Sequence, residues 1–277
     1  MQHKEIVINE QKVAYYESGD KGQPILFIHG NSMSGLCFAQ QVESTLGERY
    51  RLVAMDLPGH GKSAPARHPG SGYTLPGYAD MVCAFAKSLK LENAVLVGWS
   101  LGGHVLLEAI GRLQTSAGLM IFGAPPVGKP MAADAFLPNP LMSLAFKSDL
   151  SADEAAALTA AFFKPGTGIP QFFYDDLKRT DGSARETLGM SIGTGNYADE
   201  VTIAAECNKP LAIVHGEMDP LINLSYLRTL GIPALWGAEI QIIPDAGHTP
   251  HWEQPERFNR LLIEFIEDCI HGDRASG

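Results

Sequence analysis

Cysteine is scarce and scattered. Cys37, Cys83, Cys207 and Cys269 stand singly among 277 residues with no C-x-x-C pair, which excludes a disulfide frame or a zinc site and suits reduced thiols. Positive charge is also short: 21 Lys and Arg against 31 Asp and Glu leave a formal net charge of −10. Nucleic acid or an anionic membrane would meet a surface of its own sign, so neither is expected as a partner, and a neutral or amphiphilic small molecule is the easier ligand. No run approaches the roughly 20 apolar residues that span a bilayer. The start, Met1-Gln2-His3-Lys4-Glu5, is charged where a signal peptide needs an apolar stretch, so a cytoplasmic location is expected. Internal repeats and long low-complexity tracts are missing too, which removes solenoids and fibres.

What is present is an alternation. Strand-like runs occur at Glu5 to Ile8, Lys12 to Glu17, Pro24 to His29, Arg51 to Met55, Ala94 to Val97, Leu119 to Phe122, Leu211 to His215 and Glu239 to Ile243. The later ones are short and almost wholly apolar, as strands buried on both faces of a parallel sheet read. Helix-like stretches at Gly77 to Leu89, Gly103 to Arg112 and Glu256 to Ile270 lie among them, which predicts an α/β chain with a β-hairpin start. From Pro125 to about Asn208 the alternation stops. Pro125-Pro126, Pro138-Asn139-Pro140 and Pro165-Gly166 punctuate this segment around an alanine-rich run, Asp153 to Phe163. The expected organisation is a core of residues 1–124 and 209–277 with a cap subdomain, 125–208, inserted over the sheet.

The run Ala94 to Val97 breaks into Gly98-Trp99-Ser100-Leu101-Gly102-Gly103 and resumes as a helix-like segment. A sharp strand-to-helix turn of this kind is a nucleophile elbow: it holds a serine exposed and aims the next backbone N–H, that of Leu101, at a developing oxyanion. A second donor is expected from Asn31, where His29-Gly30-Asn31-Ser32 follows a buried strand. The base must be a histidine. Of the nine, His248 stands on a loop just beyond the last apolar strand and is preceded by Gly247, with His251 the nearest competitor; His104, one turn into the elbow helix, is read as a packed or supporting residue. The orienting acid is expected after Leu211 to His215, at Asp219, with Glu217 as the alternative. Ser100, Asp219, His248 is then the chain order of α/β-hydrolase triads. Asp56 to Ser63 is rich in turn formers but fails the P-loop pattern, since Asp56 stands where the first glycine belongs. Apolar residues beside the elbow or in the cap, Trp99, Phe38, Phe136, Leu137, Phe162 and Phe163, are candidates to line an apolar substrate pocket.

Taken together, His29-Gly30, Asp56 to Ser63, Gly98 to Gly103, Asp219 and Gly247-His248 resemble the α/β-hydrolase superfamily over nearly the full length. The resemblance implies an α/β-hydrolase fold, a mostly parallel central sheet flanked by helices with an inserted helical cap. The fold alone does not set the substrate. Serine rather than aspartate at position 100 argues against the epoxide and haloalkane branches. A narrower set of motifs, His29 to Ser32, Gly98 to His104, Gly123 to Val127, Arg179 to Gly182 and Asp245 to His248, resembles the metal-independent N-acyl-homoserine lactonases of this fold. That group places a cap tyrosine near the lactone, and Ala155 to Phe163 contains none; it also has a glutamate where Asp219 stands. The H-x-H-x-D-H cluster of the metal-dependent lactonases is lacking, so neither metal nor cofactor is implied. The resemblance implies opening of the lactone ring of quorum-sensing signals, with a carboxylesterase on short-chain esters and a lactone-binding receptor of low turnover as alternatives.

Overall fold

The computed structural model describes residues 1–272; residues 273–277, assigned above to the core, lie outside the described residues. Eight strands form one sheet: β1 (Gln2–Ile8), β2 (Gln11–Glu17), β3 (Pro24–Ile28), β4 (Arg51–Met55), β5 (Val95–Trp99), β6 (Gly118–Phe122), β7 (Leu211–Gly216) and β8 (Gln241–Ile243). Their order is β1-β2-β4-β3-β5-β6-β7-β8. The first two make an antiparallel hairpin, β2 pairs antiparallel with β4, and β3 to β8 run parallel. Every residue of β3, β5, β6 and β7 is buried, which is why these segments carry no polar alternation: helices cover both faces.

The helices that matter to the site are α1 (Leu75–Ser88), α2 (Leu101–Ala109), α3 (Ala152–Ala160), α4 (Gln171–Arg179), α5 (Gly182–Gly193), α6 (Glu200–Glu206) and α7 (Pro255–His271). The Thr74 side chain accepts the Gly77 N–H at the start of α1, a preferred N-cap. On α7 the buried side chains are Phe258, Leu262, Phe265 and Ile266, one helical face; burying each contributes about 1.5–3 kcal/mol.

Segment 125–208 contains a 3-10 stretch, Pro140–Phe146, and α3 to α6, with no strand. The helix expected over Asp153 to Phe163 runs from Ala152 to Ala160. Ser151 and Glu154 form a capping box at its start, and it stops before Phe162 and Phe163. The last strand also differs from expectation. Glu239 and Ile240 lie outside β8, and Ile242 is exposed, because β8 is an edge with a neighbour on one side only. Among the described residues no helix is long and apolar enough to cross a membrane.

Candidate active site

The carboxyl ends of β3, β5, β6, β7 and β8 converge, as ligand sites in open parallel sheets do. At the end of β5, Ser100 has φ 51° and ψ −119°, a conformation costing a non-glycine residue on the order of 1–3 kcal/mol. The turn is over-determined. Ser100 N–H donates to Phe122 O at 2.8 Å, and the Ser100 carbonyl accepts Gly103 N–H at 2.9 Å. A Cβ on Gly102 would stand 2.0 Å from the Ile28 carbonyl oxygen, and one on Gly98 2.6 Å from that of Gly102. Only glycine fits at both positions, so the elbow pattern has a steric cause in the fold.

Beyond β8, His248 Nδ1 lies 2.8 Å from Asp219 Oδ2, with both side chains buried. The other carboxylate oxygen, Oδ1, accepts Leu221 N–H at 2.9 Å and Ile222 N–H at 3.3 Å. Burial by itself would raise the Asp219 pKa, but the charge and hydrogen bond of His248 and the Leu221 N–H hold it below the ordinary carboxylate value. An ionised Asp219 only accepts, so Nδ1 carries a proton and Nε2 is left as the basic nitrogen. Trp99 Nε1 donates to the His248 carbonyl at 2.8 Å and anchors the loop.

The two competitors are placed elsewhere. Glu217 is exposed and accepts Asp245 N–H at 3.2 Å. His251 is fully buried against Phe38, Trp99, Phe122 and Phe258 with no hydrogen bond on either ring nitrogen, and burial pushes its pKa down to about 3.

A cavity of about 440 Å³ opens above the elbow, and Asn31, Ser100, Leu101 and His248 all line it. Leu101 opens α2, so its N–H is one of the unpaired donors at a helix start. Asn31 follows β3, and its side-chain Nδ2 donates to Ala145 O at 2.7 Å, tying this loop to segment 125–208. His29, just before it, is a structural residue. Its Nε2 accepts Leu57 N–H at 3.0 Å, its Nδ1 donates to Gly30 O at 2.7 Å, and burial lowers its pKa to about 3.

Of the six apolar candidates, Trp99, Phe136, Leu137 and Phe162 line the cavity. Phe38 and Phe163 do not, which corrects the expectation for both. Phe38 ends a short 3-10 turn that drives it under the site onto Phe27 and His251, at ring distances of 4.8 and 5.1 Å. Phe163 follows the end of α3 and packs edge-on against Phe173 at 4.9 Å.

Three further residues were given no role by the sequence reading. Gly123 adopts φ +61°, and a Cβ there would stand 2.6 Å from His248 Cε1, so this glycine makes room for the imidazole. Tyr197 lines the cavity, supplying a tyrosine from outside the stretch Ala155 to Phe163. Asp176 on α4 accepts a hydrogen bond from Ser34 beside Asp56, which itself accepts Gly35 N–H at 2.7 Å and Lys62 N–H at 2.8 Å. Burial raises Asp56 to about 7 and Asp176 to about 6. The signals for Gly123 were its place directly after an apolar strand and its membership of the Gly123 to Val127 motif.

Residues 25–261 match the model of the alpha/beta hydrolase family. The chain belongs to that family. It is a hydrolase, and its architecture places it near lactone- and ester-cleaving members. It is 36% identical, with a TM-score of 0.93, to a crystal structure of a mutant of the N-acyl homoserine lactonase AidH complexed with N-hexanoyl homoserine lactone, over 97% of this chain and 98% of that one. A thermophilic esterase from Thermogutta terrifontis shares the fold at a TM-score of 0.76 and 21% identity, over 97% of this chain and 99% of that one. Among curated relatives, the non-heme chloroperoxidase CPO-A1 of Kitasatospora aureofaciens is 26% identical over 91% of this chain and 95% of its own length.

Proposed function

We propose that this hydrolase opens the lactone ring of N-acyl-homoserine lactones, and so quenches quorum-sensing signals, by a Ser100-His248-Asp219 triad. Ser100 Oγ attacks the lactone carbonyl while His248 Nε2 takes its proton. Asp219 holds Nδ1–H and stabilises the imidazolium. Asn31 and Leu101 N–H groups hold the oxyanion. The ring C–O bond then breaks, and His248 returns the proton to the alkoxide, which stays tethered as the homoserine hydroxyl. Water activated by His248 cleaves the acyl-enzyme and releases the open N-acyl-homoserine. No cofactor or metal enters these steps.

Segment 125–208 acts as the cap, and with Trp99 its Phe136, Leu137 and Phe162 clasp the acyl chain. The substrate is a small molecule met in the cytoplasm, not a nucleic acid or a membrane. Likeness to a lactonase over almost the whole chain, cap included, carries the choice of substrate. The test compares initial rates on N-hexanoyl homoserine lactone and on p-nitrophenyl butyrate. Multiple fast turnovers of the lactone are expected. Negligible lactone opening beside rapid ester cleavage would sink the choice and leave a carboxylesterase. Slow single turnover with retained ligand would leave a receptor.

A further inference from the structure

His104 and Glu200 form a second histidine–carboxylate pair that the steps above do not use. Glu200 starts α6 and is completely buried. His104 Nδ1 lies 3.0 and 2.9 Å from its two oxygens, and Val127 N–H donates to one of them at 3.0 Å. Among the described residues, His104 is its only ion-pair partner. With Nδ1 held, the ring has one free nitrogen. Nε2 makes no hydrogen bond, is not among the buried unpaired atoms, and belongs to a residue that lines the substrate cavity.

A polar atom turned into a largely apolar cavity is costly unless a ligand pairs with it. We propose that His104 is a specificity residue: its Nε2 hydrogen-bonds a hydroxyl on the third carbon of the N-acyl chain, so that 3-hydroxyacyl homoserine lactones are preferred. This rests on the lactonase reading above.

Distance supports that position. Ser100 caps α2 and its carbonyl accepts His104 N–H at 3.3 Å, so the two residues stand about one helical turn apart, ~5.4 Å, and both line the cavity. From the homoserine Cα to the second acyl carbon is about 3.8 Å across a trans amide, and one further bond at each end brings the span from lactone carbonyl to third carbon to about 6 Å. A hydroxyl also suits either state of the ring, because it donates to a bare Nε2 or accepts from Nε2–H. Phe136, whose ring centroid is 6.4 Å from that of His104, supplies the apolar wall beside it. The chemistry therefore selects a short polar branch on an otherwise apolar chain.

The test measures kcat/KM for N-hexanoyl, N-(3-hydroxyhexanoyl) and N-(3-oxohexanoyl) homoserine lactones on the wild type, His104→Asn and His104→Gln. Asn keeps an amide donor for Glu200 while removing the cavity nitrogen, which protects the fold; Gln places an amide near Nε2. The wild type is expected to favour the hydroxyl substrate over the unsubstituted one by about 3–10-fold, the ratio to fall to about one in His104→Asn, and to be partly restored in His104→Gln. Equal rates in the wild type, a preference that persists in His104→Asn, or a keto preference above the hydroxyl one would each overturn it while leaving lactone opening intact. If no lactone is opened at all, the lactonase reading falls and this assignment with it.

Discussion

The sheet and the cap are held together differently. In β3, β5, β6 and β7 every residue is buried, whereas no residue of Pro140–Phe146 in the cap is. The core rests on continuous apolar packing. Segment 125–208 joins it through a mixed seam: Phe162 packs on Trp99 at 6.0 Å, and Phe172 and Phe173 on Trp252 at 5.1 and 5.2 Å, beside polar contacts of Ser34 with Asp176, Tyr73 with Asp181 at 2.6 Å, Asp181 N–H with Gly59 O at 2.9 Å, and His104 with Glu200. Close packing fixes atoms to fractions of an ångström, which a strained nucleophile demands. A seam that mixes apolar and polar contacts leaves more positions free to vary than strands buried on both faces, and under the proposed function the core carries the reaction and segment 125–208 the choice of substrate.

The largest effect that would break this division lies in the core. Ser100→Ala should lower kcat by at least about 10⁴-fold on every ester tested, with an unchanged melting curve; retained turnover would show that the elbow is not the centre. Asp219→Asn should cost roughly 10⁴-fold, because the amide favours the wrong imidazole tautomer, while Glu217→Gln should stay within about twofold. Equal losses in both would return the acid to an open question.

Two phenylalanines sharpen the boundary between core and cavity. Phe136→Ala should reduce kcat/KM for long acyl chains by about 10-fold through lost apolar contact. Phe38→Ala should instead cost about 3–5 kcal/mol of stability, as a cavity in close-packed core. Denaturation curves beside a chain-length series would separate them, and a specificity change from Phe38 alone would contradict its placement.

The smallest effect concerns the cap fastening. Burial raises Asp176 to about 6 and Asp56 to about 7. A carboxyl whose folded pKa is raised contributes stability that is fully present below its unfolded value near 4 and is lost as pH rises through the folded value. Asp176→Asn should therefore be more stable than wild type by about 1–2 kcal/mol at pH 8, with the gain vanishing near pH 4. A constant difference across that range would rule out titration as its cause.

The legible parts of the site were local ones. The elbow is five consecutive residues, its first glycine set by a contact inside the turn and its second by the neighbouring strand β3, and strands buried on both faces announce themselves as apolar runs. Asp219 and His248 were legible as loop residues after strands, but which acid met the imidazole depended on the Gly216–Asp219 turn, closed by Asp219 N–H to Gly216 O at 2.9 Å, which placed Asp219 inside and Glu217 in solvent. Position along the chain could not tell Phe38 from Phe136, since both are aromatic residues near candidate loops. The edge strand was overlong in the reading because apolarity marks burial, not the number of neighbours a strand has.

By itself, then, the sequence determined the α/β alternation and the turn at Ser100, because each depends on residues adjacent in the chain or on the period of a buried element, and it offered Asp219 and His248 as the candidate acid and base. Only the tertiary structure decided the pairing of His104 with Glu200, 96 residues apart, the room that Gly123 leaves for His248, and which aromatic side chains face the cavity. Those outcomes depend on how close two surfaces come, and such distances exist only once cap and core are packed together.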